Sequence, residues 1–173
     1  MNEKRLRGET VFEGRVFSIE VDEVELENGL RGRREVVRHP GGVGILAVDR
    51  QNRVVLVRQF RYAAGRELLE IPAGRLEPGE DPMEAGIREL REETGFSAGK
   101  VTDLGYIIPT GGYCSEKIYL FLAEELAPGD TCPDDGEFVE PVMMPMDELK
   151  DAIKRGEIID AKTIAAVYKY SLM

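Results

Sequence analysis

The chain has 173 residues, with 23 Lys plus Arg against 33 Asp plus Glu and a net charge of −10. That acidity disfavours nucleic-acid backbones and anionic membranes as partners, but not phosphate-bearing small molecules held through a divalent cation. The longest apolar runs, Val43–Val48 and Ile118–Ala123, are six residues each, far short of the ~20 that cross a bilayer. Met1–Arg5 is charged with no apolar stretch behind it, so no signal peptide is expected. Two cysteines, Cys114 and Cys132, make neither a disulfide framework nor a metal pair. A reduced, cytoplasmic, single-domain protein is expected.

The first forty residues alternate apolar and polar from Val11 to Leu26 and reach a hairpin signal at Asn28-Gly29, with Arg33–Val37 returning. Val43–Val48 and Arg53–Val57 read as strands joined by a polar turn. Ile71 to Glu80, punctuated by Pro and Gly, reads as loop. Asp81-Pro82 predicts a helix start, with Asp as N-cap and Pro at the first position, and Gly95 predicts its end after Thr94. Strands follow near 101–108 and 117–123, then a Gly/Pro/Asp-rich loop from Pro128 to Glu137 and a strand near 138–144. Helices over 146–155 and 160–172 finish the chain. Strands dominate without regular β-α alternation, so the class is α+β with a mixed sheet.

The segment that carries chemistry runs from Gly74 to Phe96. At ~100° per residue, Glu93 lies about 40° to one side of Glu89 and Glu92 about 60° to the other, so the three share one helix face. Met83, Ile87, Leu90 and Thr94 form a separate stripe able to face a core. Like charges four residues apart repel, so the cluster is either solvated, laced with Arg88 and Arg91, or neutralised by a cation. Carboxylates at this density suit Mg²⁺ or Mn²⁺, which bind through a few carboxylates plus substrate phosphates.

Gly74, Glu80, Arg88, Glu89, Leu90, Glu92, Glu93, Gly95 and Phe96 occupy nine fixed positions over 23 residues, and this spacing resembles the Nudix hydrolase signature. The resemblance implies a Nudix fold, with a mixed sheet between helices and an N-terminal antiparallel strand extension. Residues 1–40 would form that extension and 41–173 the hydrolase domain. It also implies a divalent metal held on the diphosphate of a nucleoside diphosphate linked to another moiety. Glu89 and Glu93 are then direct ligands, Glu92 a ligand or outer acid, and the Ala73 carbonyl the non-carboxylate ligand. Glu80 is the outer carboxylate and Arg88 the side chain that holds the glutamates.

The flanks narrow the branch. Arg33–Ile45, Arg58–Tyr62, Glu67–Gly74, Pro109–Lys117 and Asp160–Thr163 resemble the ADP-ribose pyrophosphatases and their nucleoside diphosphate sugar relatives. Gly111-Gly112-Tyr113 departs from them, since many relatives carry Ser-Pro-Gly there, and this bears on the choice of sugar. The branch implies hydrolysis of ADP-ribose to AMP and ribose 5-phosphate. ADP-glucose or GDP-mannose is an alternative substrate, and a nucleotide-sensing module without catalysis an alternative role. Substrate contacts are expected from Arg61 on the diphosphate, Arg34 and Glu35 on the adenine from the partner subunit of a homodimer, and Glu70 and Glu116. Arg58 could join Arg61 or be an ordinary surface arginine; Phe17 or Tyr62 could stack on the base, although an aromatic in a strand is more often core. The general base is expected at Glu137, with Asp135 and Glu140 as neighbours. His39 reads as a turn residue and Cys114 as a bystander, having no histidine to activate it.

Overall fold

The computed structural model describes residues 2–132, 136 and 138–173. Contacts divide the chain into two units, Met1–Gly41 with Ile108–Lys117 and Gly42–Ile107 with Ile118–Met173.

Strand β4 (Gly42–Val48) is buried along its whole length, as an unbroken apolar run requires of a strand covered on both faces. It sits in the middle of the larger unit. Its alternate residues go to different cores: Leu46 and Val48 to one, Val43, Ile45 and Ala47 to the other. Helix α1 (Pro82–Thr94) covers the second face with Ala85 and Leu90. Helices α2 (Met146–Lys154) and α3 (Ala161–Tyr170) cover the first with Met146, Leu149, Ala152, Ala166 and Val167. The fold is therefore α+β, a mixed sheet between helices, as the sequence predicts.

Around β4 the sheet adds β5 (Arg53–Arg61), β6 (Arg66–Glu70), β7 (Ala73–Arg75), β8 (Ser97–Ile107), β9 (Ile118–Ala127) and β10 (Val139–Pro145). The order is β10-β5-β4-β9-β8, with β6 on β5 and β7 on β4; only β4–β9 is parallel. Strands β4 and β5 pair only where Ala47 and Val48 meet Val55 and Val54. Beyond that they part: β5 continues with β6, and the start of β4 pairs with β7. The connection from Glu70 to Ala73 crosses this split, pinned where the Ile45 N–H donates to the Pro72 carbonyl at 2.9 Å.

The smaller unit is an antiparallel sheet of β1 (Lys4–Glu13), β2 (Ser18–Glu25) and β3 (Arg31–Arg38). The 108–117 segment joins β3, with the Val37 N–H donating to the Tyr113 carbonyl and the Ser115 N–H to the Val37 carbonyl. Strand β1 is exposed at every residue.

Two expectations change, and one further strand was not expected. The alternating run before Asn28 is two strands, turned where the Gly14 N–H bonds the Phe17 carbonyl. Ala73–Arg75 is a strand despite its Gly, because β4 offers it a buried edge. Arg66–Glu70, too short to show a period, is a strand on β5.

Candidate active site

Helix α1 begins as its sequence dictates. The Asp81 carboxylate accepts the N–H groups of Met83 and Glu84, with Pro82 in the first turn. It ends at Gly95, whose φ of 74° suits a residue without a Cβ. Its outer face carries the acidic group, and Arg88 is the hub. The Arg88 Nε and Nη2 donate to the two oxygens of Glu80 at 2.9 and 3.2 Å, and Nη1 donates to Glu89 and Glu92 at 2.9 Å each. Glu80 also accepts the Glu77 N–H at 3.0 Å, tying the preceding loop to the helix. The Arg88 bond holds Glu80 below the usual carboxylate range, and Arg88 itself is raised, first by Glu80. Among these bonds three carboxylates meet one guanidinium, an unequal match of charge.

Glu93 goes elsewhere. It is 4% exposed, and its Oε2 accepts the Ala73 N–H at 3.0 Å. This bond fixes the residue whose carbonyl is the candidate non-carboxylate ligand. Next to it, a Cβ on Gly74 would stand 1.8 Å from Glu89 Oε1. Glycine at 74 is what lets the Glu89 carboxylate lie against the 73–75 strand. Among the described residues, no three His, Cys, Asp or Glu side chains are gathered in a metal-holding cage. The donor chemistry nonetheless fits a hard divalent cation: Glu89, Glu92, Glu93 and the Ala73 carbonyl offer only oxygen. Arg88 engages Oε1 of Glu89 and Oε2 of Glu92.

The second group lies at the β4–β5 split. Arg61 stands at the end of β5, on the same side by alternation as Val55, the side that α1 covers. Its Nε and Nη2 donate to the two oxygens of Glu70 at 2.7 and 2.9 Å, a bidentate fork. Glu70 is 1% exposed and also receives the Lys162 ammonium. Burial alone would push the Glu70 carboxyl up; the bonds from Arg61 and Lys162 outweigh it and hold the group below its ordinary range. Arg61 is raised, first by its bond to Glu70 and also by the charge of Glu93. The charge of Glu93 thus reaches Arg61 and links the two groups electrostatically.

Each of the other expected residues has its own local setting. Arg34 lies on β3, its Nε donating to Glu3 at 2.9 Å; Glu35 pairs with Arg33 at 3.2 Å. Glu116 approaches His39 Nδ1 at 3.5 Å. That nitrogen accepts the Gly41 N–H, so His39 is a turn residue in its local geometry. Arg58 faces Glu140 at 3.4 Å. Phe17 stacks on Phe12 with ring centres 5.7 Å apart, while Tyr62 is 91% exposed. Asp134, Asp135 and Glu137 lie outside the described residues. The segment before them is anchored, with the Cys132 N–H donating to the Glu92 carbonyl at 3.0 Å. Sequence reasoning gave no role to Lys162, Asp160 or Thr163. The signal available was the Asp160–Thr163 stretch itself, with a lysine at the second position of α3, two residues behind its Asp N-cap.

The chain is similar to known proteins. The chain is 40% identical over 167 residues to a methanol dehydrogenase activator of Bacillus methanolicus, covering 95% of this chain and 90% of that one. It is 39% identical over 169 residues to an ADP-ribose pyrophosphatase of Bacillus subtilis strain 168, covering 96% and 91%. The crystal structure of an ADP compounds hydrolase superposes with a TM-score of 0.86 at 26% identity, covering 99% of this chain and 94% of the other. Residues 38–167, which contain the acidic helix, the split and α3, match the NUDIX domain. The chain belongs to the Nudix family and is a Nudix hydrolase.

Proposed function

We propose that the protein hydrolyses ADP-ribose to AMP and ribose 5-phosphate with Mg²⁺, Mn²⁺ being a possible substitute. The observation that carries this reading is the gathering of Glu89, Glu92 and Glu93 on α1, with Glu93 fixing the Ala73 backbone, in a chain similar to ADP-ribose pyrophosphatases. Glu89, Glu92, Glu93 and the Ala73 carbonyl would hold the cation, which would offset the diphosphate charge and make water a better nucleophile at neutral pH.

The chain's own groups do the rest. Arg61, fixed by Glu70, offers positive charge to the diphosphate. Glu137 takes the proton of the attacking water as general base. Water adds to one phosphorus and the other phosphate leaves with the bridging oxygen. Arg88 keeps Glu80 and the preceding loop on the helix. Arg34 and Glu35, reaching from the partner subunit of a homodimer, recognise the adenine, and Glu116 is a further substrate contact.

The smaller unit, corresponding to the N-terminal extension, serves dimerisation. Its fully exposed β1 and the exposed Leu6, Val11, Phe12, Val16 and Phe17 support a homodimer. Sedimentation of the purified chain tests this; a fully active monomer overturns it. No helix among the described residues is long and apolar enough to cross a membrane, and both cysteines are free thiols. These features support a cytoplasmic setting. The substrate test is a panel of nucleoside diphosphate sugars with Mg²⁺, scored for nucleoside monophosphate. ADP-ribose is expected to give the highest kcat/KM, and preference for GDP-mannose or ADP-glucose overturns the choice.

A further inference from the structure

The start of α3 holds the Glu70–Ala73 connection at two successive residues. The Lys162 ammonium donates to Glu70 and, at 3.0 Å, to Asp160 Oδ1. Thr163 Oγ1 accepts the Ile71 N–H at 2.9 Å and donates to Asp160 Oδ2 at 2.6 Å. Asp160 in turn caps α3 by accepting the Thr163 N–H. Lys162 is 8% exposed and Thr163 0%. The elements that hold the chain here are thus 92 residues apart in sequence from what they hold.

Stability does not explain this choice. A buried Lys–Glu pair is expensive to desolvate, and apolar residues of similar volume hold a fold as well or better. What an ion pair adds is direction. Glu70 has two oxygens, both engaged by Arg61, and one of them is also engaged by Lys162. Lys162 therefore fixes where the carboxylate stands, and the carboxylate fixes the plane of the guanidinium. Arg61 remains partly open, with 41% of its side chain exposed.

We propose that Lys162 is a positioning residue for the hydrolysis: from α3, held by Asp160, it sets Glu70, and Glu70 aims the Arg61 guanidinium at the diphosphate. This rests on the reading of Arg61 as the diphosphate contact. Thr163 holds the same connection by its backbone, so α3 steadies both the side chain at 70 and the strand that begins at Ala73.

The test is steady-state kinetics on ADP-ribose with Mg²⁺ for Lys162→Met, Lys162→Arg, Arg61→Ala and the Lys162→Met/Arg61→Ala pair. Lys162→Met is expected to raise KM about tenfold or more, the order of loss from a misaimed contact, with kcat changed far less. Lys162→Arg restores most of the KM. The pair is no worse than Arg61→Ala alone, because Lys162 acts through Arg61. Should Lys162→Met not fold, the Glu70→Gln/Lys162→Met pair removes both buried charges together and is expected to show the same rise in KM. Unchanged KM with only a lower Tm makes Lys162 structural and overturns the proposal. Additive losses in the Arg61 pair overturn it too. Unchanged KM in Arg61→Ala overturns the diphosphate reading itself, an outcome distinct from a normal Lys162→Met beside an impaired Arg61→Ala.

Discussion

Two arginines in this unit serve carboxylates in opposite ways. Around Arg88 three glutamates meet one guanidinium on a partly buried face. Around Glu70 the charges match, Arg61 and Lys162 against Glu70 and Asp160, and the carboxylate is sealed from water. A matched cluster is complete as it stands and can only orient its members. An unmatched one is stable while hydrated and has room for a further positive charge. The difference separates the part of the site that awaits a ligand from the part that aims at it.

The largest effects are expected on the unmatched side. Chelation should abolish turnover of ADP-ribose, and added Mg²⁺ should restore it. Glu93→Gln removes a charged ligand and weakens the acceptor for the Ala73 N–H. Its loss of kcat/KM should exceed the ~10–100-fold that removing a group behind a metal ligand costs. A variant with near-normal rates would remove α1 from the metal site.

Next in size is the general base. Glu137→Gln should lower kcat by about 10²–10⁴-fold while leaving metal and substrate affinity nearly intact. Asp135→Asn and Glu140→Gln serve as controls, and Glu140 already faces Arg58 across the β5–β10 pair. A large loss at either control moves the base to that residue; none at all three returns the role to α1, most plainly to Glu92.

Gly74 is the point where the unmatched cluster touches the backbone it faces. A Cβ there would meet the Glu89 carboxylate, at the end of a flexible side chain. Gly74→Ala should therefore swing Glu89 away at small cost in Tm and lower kcat by about tenfold or more, the scale of a displaced catalytic group. A variant unchanged in rate would show that Glu89 works from another position.

Much of the metal-side cluster was legible because a helix has a period and its caps have chemistry. Asp81, Pro82 and Gly95 bracket α1, and the angular spacing puts Glu89 and Glu92 beside Arg88. The departure of Glu93 was not legible, since its partner is a backbone N–H twenty residues away on another strand. The matched cluster was less visible still. Arg61, Glu70 and Lys162 stand on two strands and a helix, and only the parting of β4 from β5 brings them together. Strands β6 and β7 share that cause, being fixed by the edges they fill rather than by their own residues.

The smallest expected effect is in acid, and it divides the two clusters by burial. Both Glu70 and Glu80 are held below their ordinary range. Each then contributes stability that is present above the unfolded pKa, near ~4.3, and is lost as pH falls through the lower folded value. For Glu70 the bonds from Arg61 and Lys162 must outweigh burial, and protonation leaves two cations with less to hold them. For Glu80 the bond to Arg88 is nearer to solvent and screened by salt. Measured by Tm between pH 7 and pH 3, Glu70→Gln should be less stable than the parent at pH 7, with the gap closing in acid, and the gap should be insensitive to salt. Glu80→Gln should show a smaller gap that shrinks as salt is added. Equal gaps with equal salt dependence would mean that the buried cluster is hydrated in solution, and the contrast between the two arginines would not hold.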